Sequence, residues 1–119
     1  ELDTHGYWTQ QGKDIVAPNE VGKTNNFFGF SVSIAFEKER GVVIAVGDPK
    51  VMGSDTSLSN LGVARVFKYN DDSTMDDWSQ IAQNIQDVRS WTEMGAVVKL
   101  SSNGNILAVG ARKRHRTSG

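Results

Sequence analysis

The sequence predicts an all-β protein, and two observations carry that prediction. Residues 30–36 and 63–69 alternate apolar with small or polar side chains, which is the period-two pattern of a strand with one buried face. Glycine, asparagine, aspartate and serine fill the intervals between such segments, and no stretch of useful length has a helical period. We therefore expect short strands joined by polar turns.

These two segments are the first and third of four consecutive strands. The β-branched run 42–46, bounded by glycines, lies between them and is typical of a strand covered on both faces. A looser fourth strand begins at Trp78. Short, turn-rich connections favour antiparallel pairing of neighbouring strands. Later in the chain, the Asn103-Gly104 pair predicts another hairpin, closed by a type I′ turn.

Three segments of the sequence occur twice, in the same order. They are a Trp-x-Gln-x-x-x-x-Ile segment, a segment with glycine in second place and a glycine-bounded apolar run. The paired ranges are 8–15 with 78–85, 28–34 with 94–100, and 41–48 with 104–111, at offsets of 70, 66 and 63 residues. Length therefore changes only between the matching segments, which is typical of stacked structural repeats joined by surface loops.

Four short antiparallel strands per repeat of about 60–70 residues are typical of a β-propeller blade. The sequence therefore predicts four-stranded blades of an incomplete β-propeller, with residues 28–85 as one complete blade. Residues 1–15 are expected to be the outer strand of a preceding blade, and residues 94–111 the first two strands of the next. The basic tail, residues 112–119, is expected to be disordered. A β-sandwich is the alternative, although it would not require the matching order of segments.

The repeated motifs resemble those of the FG-GAP repeat family, which is named for a Phe-Gly and a Gly-Ala-Pro about twenty residues apart. The first copy has Phe-Gly followed by Gly-Asp-Pro, with Asp48 in place of alanine. In the second copy, Met94 replaces phenylalanine and Arg112 replaces proline. The resemblance implies propeller blades and a role in adhesion or extracellular recognition, as in the integrin α-subunit head. It also implies an extracellular or cell-surface location.

Composition excludes several kinds of site. The chain has no cysteine, which excludes a disulfide framework and a thiolate metal site. Four of the 13 basic residues lie in the last eight positions, so residues 1–111 carry nine basic against 14 acidic side chains, or −5. An acidic body argues against a nucleic-acid interface in the folded part. The longest apolar run, residues 42–46, is too short to span a bilayer, so no transmembrane segment is expected.

No metal or cofactor is expected. Many FG-GAP blades carry an aspartate-rich calcium loop between their first two strands, but here residues 37–41 contain two basic side chains and residues 101–105 contain no carboxylate. Calcium needs several oxygen ligands, carboxylates among them. A second acidic turn has Met75 where a ligand oxygen would be required, and is interpreted as a solvated turn. Its carboxylates are Asp71, Asp72, Asp76 and Asp77.

The candidate ligand-binding site is a face made of long loops. Propeller topology places residues 16–27, 50–61 and 86–93 on the same face, and these are the longest and most polar segments. Amide and hydroxyl groups with a tryptophan suit recognition of a protein or glycan. The alternative is that the loops are permissive surface and that the tryptophan packs between blades. The candidate binding residues are Asn25, Asn26, Asp55, Thr56, Asn60, Arg89 and Trp91.

The predicted function is a non-enzymatic binding or adhesion module with a protein or glycan ligand. A propeller hydrolase with Ser31, Ser33 and Asp48 lining a central channel is the alternative, and a purely structural array is a third hypothesis. Asp48 is better interpreted as a cap for backbone amides of the following loop. Trp8 and Trp78 recur at equal positions and are each expected to cover the outer edge of a blade.

A closed propeller needs about 4–8 blades, so the chain cannot close a ring alone. Strands without partners recruit other chains. Further blades or self-association are therefore the expected protein partners.

Overall fold

The computed structural model describes residues 1–17, 27–50, 61–72, 75–86 and 92–112. The described part of the chain is all-β, as predicted. It contains no helix, and hence none of the length and hydropathy needed to cross a membrane. The strands are β1 (Ser31–Glu37), β2 (Gly41–Asp48), β3 (Val63–Asp72), β4 (Met75–Gln86), β5 (Met94–Leu100) and β6 (Leu107–Ala111).

The first four strands form one antiparallel sheet in the order β1-β2-β3-β4, and β5 and β6 form a separate antiparallel pair. This confirms the antiparallel four-stranded meander. Among the described residues the sheets close into neither a barrel nor a propeller. We refer to residues 28–85 as the first unit and to residues 94–111 as the second unit.

Equivalent residues of the two units pair in the same register. In the first unit Val32 lies opposite Val46 and Ile34 lies opposite Ile44. In the second unit the equivalent pairs are Val98 with Val109 and Leu100 with Leu107. The sequence repeat therefore coincides with a repeat of strand pairing.

The two faces of β1 differ in size, and the larger side chains are the exposed ones. We call the face that carries Val32, Ile34 and Phe36 the front face; these three side chains are 65–68% exposed. The opposite, back face carries Ser31, Ser33 and Ala35, and Ala35 is 5% exposed. Small residues cover the core side here because another sheet lies close against them.

The second unit packs its own front face on the back face of the first unit. Val98 and Leu100 of β5, both buried, contact a cluster of small residues from three strands of the first sheet. Those residues are Ala35, Val43, Ala45 and Ala64. Strand β2 was expected to be covered on both faces. Its back side is buried, but Val42 and Ile44 on its front side are only half-buried.

The hairpin predicted at Asn103-Gly104 is confirmed, but the predicted turn type is wrong. Gly104 has a positive φ of 73°, whereas Asn103 does not, and a type I′ turn requires both. The connection instead runs from Ser101 to Ile106, whose backbone groups bond at 2.9 Å. The Asn103 side chain accepts hydrogen bonds from Ser101 Oγ and the Asn105 amide, which makes a longer turn stable.

Strand β4 is longer than the sequence predicts and is interrupted by a bulge. Its pairing with β3 moves from Ile85 opposite Ala64 to Ile81 opposite Val66, so β4 has two extra residues there. Ala82 lies in the bulge with a φ of 63°. Ile81 and Ile85 both pack towards the core side, as residues four apart do in a strand, whereas Gln83 between them is exposed at the bulge.

The N-terminal segment lies along β4. Leu2 pairs with Trp8 in an isolated antiparallel bridge, and the Trp78 indole donates a 2.7 Å hydrogen bond to the Gln11 carbonyl. Trp78 also packs on Tyr69 at the outer edge of the first sheet. Trp8 is 81% exposed and covers no sheet edge within the described residues, unlike the role expected for it.

Candidate functional site

The seven candidate binding residues all lie outside the described residues. They are Asn25, Asn26, Asp55, Thr56, Asn60, Arg89 and Trp91. The structure does describe the strand ends that flank their loops. Asp48 lies opposite Val63, and Val63 lies opposite Gln86. These ends therefore meet at one end of the sheet, which we call the Asp48 end.

Two further contacts bring other loop ends to the same place. The Phe27 amide donates a 2.8 Å hydrogen bond to Asp48 Oδ1. Leu61 accepts one bond from the Met94 amide and a 3.1 Å bond from Thr92 Oγ1. The end of the 16–27 loop is thus tied to the start of the 50–61 loop, and the end of the 50–61 loop is tied to the end of the 86–93 loop.

Asp48 is fully buried at this end and acts as an acceptor for loop amides, as interpreted from the sequence. It accepts from the amides of Phe27 and Lys50. Burial raises the pKa of the Asp48 carboxyl, although these amide bonds and the nearby Arg65 guanidinium oppose the increase. The strand ends therefore surround a carboxylate whose ionisation is costly.

Asp48→Asn is expected to change how stability depends on pH. Because the folded protein binds the Asp48 proton more tightly than the unfolded chain, wild-type stability should fall relative to Asp48→Asn as pH rises above 3.8, the ordinary pKa of the carboxyl. Each unit of pKa difference corresponds to about 1.4 kcal/mol. Denaturant unfolding of both proteins across a pH series measures the difference.

Asp77→Asn provides a control of opposite sign. The Trp78 and Lys13 amides bond to Asp77 and lower the pKa of its carboxyl, so the stability it contributes is lost as pH falls. Parallel pH profiles for wild type and Asp48→Asn would contradict the expected cost of burying Asp48.

Glu93 and Arg112 form an ion pair at the Asp48 end. The Glu93 side chain is fully buried, and its Oε2 lies 2.7 Å from Arg112 Nε and 2.6 Å from Arg112 Nη2. The Arg112 guanidinium also lies over the Phe30 ring, 5.6 Å from its centroid. Arg112 therefore joins the two units. It was expected to belong to a disordered tail, residues 112–119, and that expectation is wrong for Arg112. Residues 113–119 lie outside the described residues.

Glu93 was missed by the sequence analysis, yet two departures from the repeat indicate it. Glu93 replaces the residue equivalent to Phe27, and Arg112 replaces the residue equivalent to Pro49. An acidic and a basic residue that both depart from the repeat in the same copy indicate an ion pair between them. Glu93 also has a φ of 53°, which fixes the backbone immediately before β5.

The serines proposed for a channel take part in packing between the units. Ser31 Oγ donates a 2.8 Å hydrogen bond to the Gly95 carbonyl. Ser33 Oγ accepts a 2.9 Å bond from the Leu100 amide. Both side chains therefore hold β5 against β1.

The acidic and turn segments form local hydrogen bonds. Glu37 Oε2 accepts from the amides of Glu39 and Arg40 in the β1–β2 turn, and Tyr69 donates its hydroxyl to Asp76. In the described part of the chain, no three side chains of His, Cys, Asp or Glu come together in a way that could hold a metal ion.

A groove of about 960 Å³ opens over the front face of the first unit. Its floor is apolar and comprises Ile34, Phe36, Val42 and Ile44. Residues 9–11 form one wall, together with polar side chains of β3 and Trp78 of β4. This groove could not be foreseen from the sequence, because the apolar face of β1 would ordinarily be expected to lie in the core.

Comparison of the chain with protein-family models, curated proteins and solved structures finds no match. The resemblance to FG-GAP repeats therefore depends on the repeated motifs themselves.

Proposed function

We propose that this chain is a non-enzymatic binding module, built as consecutive blades of an FG-GAP-like β-propeller. Its ligand, a protein or glycan, binds at the Asp48 end through the three long loops. The observation that carries the proposal is the convergence of the described loop ends on Asp48 and the Glu93–Arg112 pair. A rigid base with long polar loops is the usual design of a recognition surface.

The blade assignment is supported by the repeated pairing and by three close backbone approaches. A Cβ atom added to Gly47 would overlap the Gly95 carbonyl, and one added to Gly62 would overlap Met94. A Cβ on Gly95 would lie 2.6 Å from the Val63 carbonyl oxygen. Neighbouring blades that crowd together at their inner strands need glycine at such positions. A β-sandwich would not require glycine at equivalent positions of the two units.

Binding experiments with loop variants test the proposed function. Wild type, Asp55→Ala/Trp91→Ala and a control, Glu39→Ala/Ser102→Ala, are applied to a glycan array and to immobilised extracellular protein domains. The control changes turns at the opposite end of the strands. We expect the loop variant to lose about tenfold or more in affinity, because removing an aromatic anchor commonly costs about 2 kcal/mol.

Equal melting temperatures are required for the comparison to report on binding. Unchanged binding by the loop variant, or loss of binding in the control alone, would contradict the proposal. So would the absence of wild-type binding to every glycan and domain tested.

A further inference from the structure

The contact between the two units shows what covers a front face in this fold. Val98 and Leu100 on the front of the second unit are 4% and 6% exposed because the back of the first unit covers them. Their equivalents on the front of the first unit, Val32 and Ile34, are 65% and 68% exposed. The same type of surface is therefore covered once and left open once.

Glycines at equivalent positions of the two units show the same difference between a covered and an open surface. Gly47 on the back of the first unit touches Gly95 on the front of the second unit, with no room for a Cβ atom. Their equivalents are open: Gly110 has nothing closer than 3.5 Å to an added Cβ, and Gly29 has nothing within 4 Å. Gly29 and Gly110 occupy the positions equivalent to those of a close contact, but among the described residues they make none.

The β1–β2 turn shows the same pattern. Gly104 in the second unit lies over the first unit, 3.5 Å from Ala35 Cβ and 3.6 Å from Val43 Cβ when a Cβ is added. Its equivalent, Gly41, has nothing within 4 Å and borders the groove. The residue equivalent to Val43 is Ile106, which is 70% exposed.

We propose that the front face of one copy docks on the back face of the second unit of another copy, reproducing the contact within the chain. Val32 and Ile34 of one copy then lie against Ile106 and Ala108 of the next, which are the equivalents of Val43 and Ala45, and Gly29 lies against Gly110. Ile106 enters the groove beside Gly41. The contact joins two different surfaces, so association is head-to-tail.

One position limits the strength of this contact. The back face of the first unit has Ser33, whose hydroxyl accepts the Leu100 amide. The back face of the second unit has Lys99 at the equivalent position, and a lysine cannot accept a hydrogen bond. Docking between copies is therefore weaker than packing between the units, and Lys99→Ser should strengthen it.

Sedimentation velocity over a concentration series tests the proposal. Wild type is expected to associate as concentration rises. Gly110→Ala and Ile34→Asp are expected to remain monomeric, and Lys99→Ser is expected to associate at lower concentration than wild type. Gly110 has space for a methyl group and Ile34 is exposed, so circular dichroism and melting should match wild type within one copy.

A wild-type monomer at every concentration would overturn the proposal. So would association of Gly110→Ala and Ile34→Asp equal to that of wild type, since this would indicate pairing through strand edges. The inference does not depend on the proposed loop-binding function. Asp55→Ala/Trp91→Ala should associate as wild type does, so each proposal can fail without the other.

Discussion

Gly47→Ala is expected to lower the free energy of unfolding by about 3 kcal/mol. Overpacking a close contact costs about 1–3 kcal/mol, and the upper end of that range is expected because the contact is with backbone atoms. The added methyl group overlaps the Gly95 carbonyl and crowds Ser31 Oγ. The second unit must move away from the first, which exposes Val98 and Leu100. Denaturant unfolding measures the loss.

Gly110→Ala is the matched control, because Gly110 is the equivalent residue of the second unit and has ordinary contact distances. Its unfolding free energy should stay within about 0.5 kcal/mol of wild type, as is usual for a surface change. Equal losses in the two variants would mean that the strand conformation, and not the contact between units, requires glycine at this position.

Arg112→Ala is expected to destabilise the protein by about 2 kcal/mol. Breaking a buried ion pair costs about 3–5 kcal/mol, but the Arg112 side chain is 46% exposed and water screens part of the interaction. The Glu93 carboxylate loses its guanidinium partner, and Phe30 loses the cation above its ring. Urea unfolding of wild type and variant gives the difference.

The double variant Glu93→Gln/Arg112→Ala separates charge from packing. A neutral amide in place of the buried carboxylate should recover about half of the lost stability or more, since a buried carboxylate that loses a guanidinium partner is the main cost. No recovery would assign the loss to the contact between Arg112 and Phe30 instead.

Much of the strand order was predictable from local pattern. Alternation in β1 and the glycine-bounded run in β2 indicate strands, since period two is a local property of the chain. Which face of β1 is buried was not predictable, because a face with Val32, Ile34 and Phe36 normally marks the core. Here the small face is covered, since the second unit approaches too closely for larger side chains.

The candidate site was predictable only in part. Asp48 follows a strand and precedes a proline, so its role as an amide acceptor could be inferred locally. The Glu93–Arg112 pair joins residues 19 positions apart across two strand ends. Detecting it required a comparison of the two copies residue by residue, and not a search for motifs that both copies share.

The bulge in β4 has a consequence for finding related sequences. Residues four apart share a face in any strand, so Ile81 and Ile85 would lie on the same side of β4 without a bulge. The bulge instead leaves the polar Gln83 between them exposed, so this strand shows apolar residues four apart without alternation, a spacing that also occurs in helices. Periodicity scans will therefore classify such outer strands wrongly. The spacing from Trp78 to Ile85 also occurs between Trp8 and Ile15, so a search pattern that fixes this spacing will find both segments.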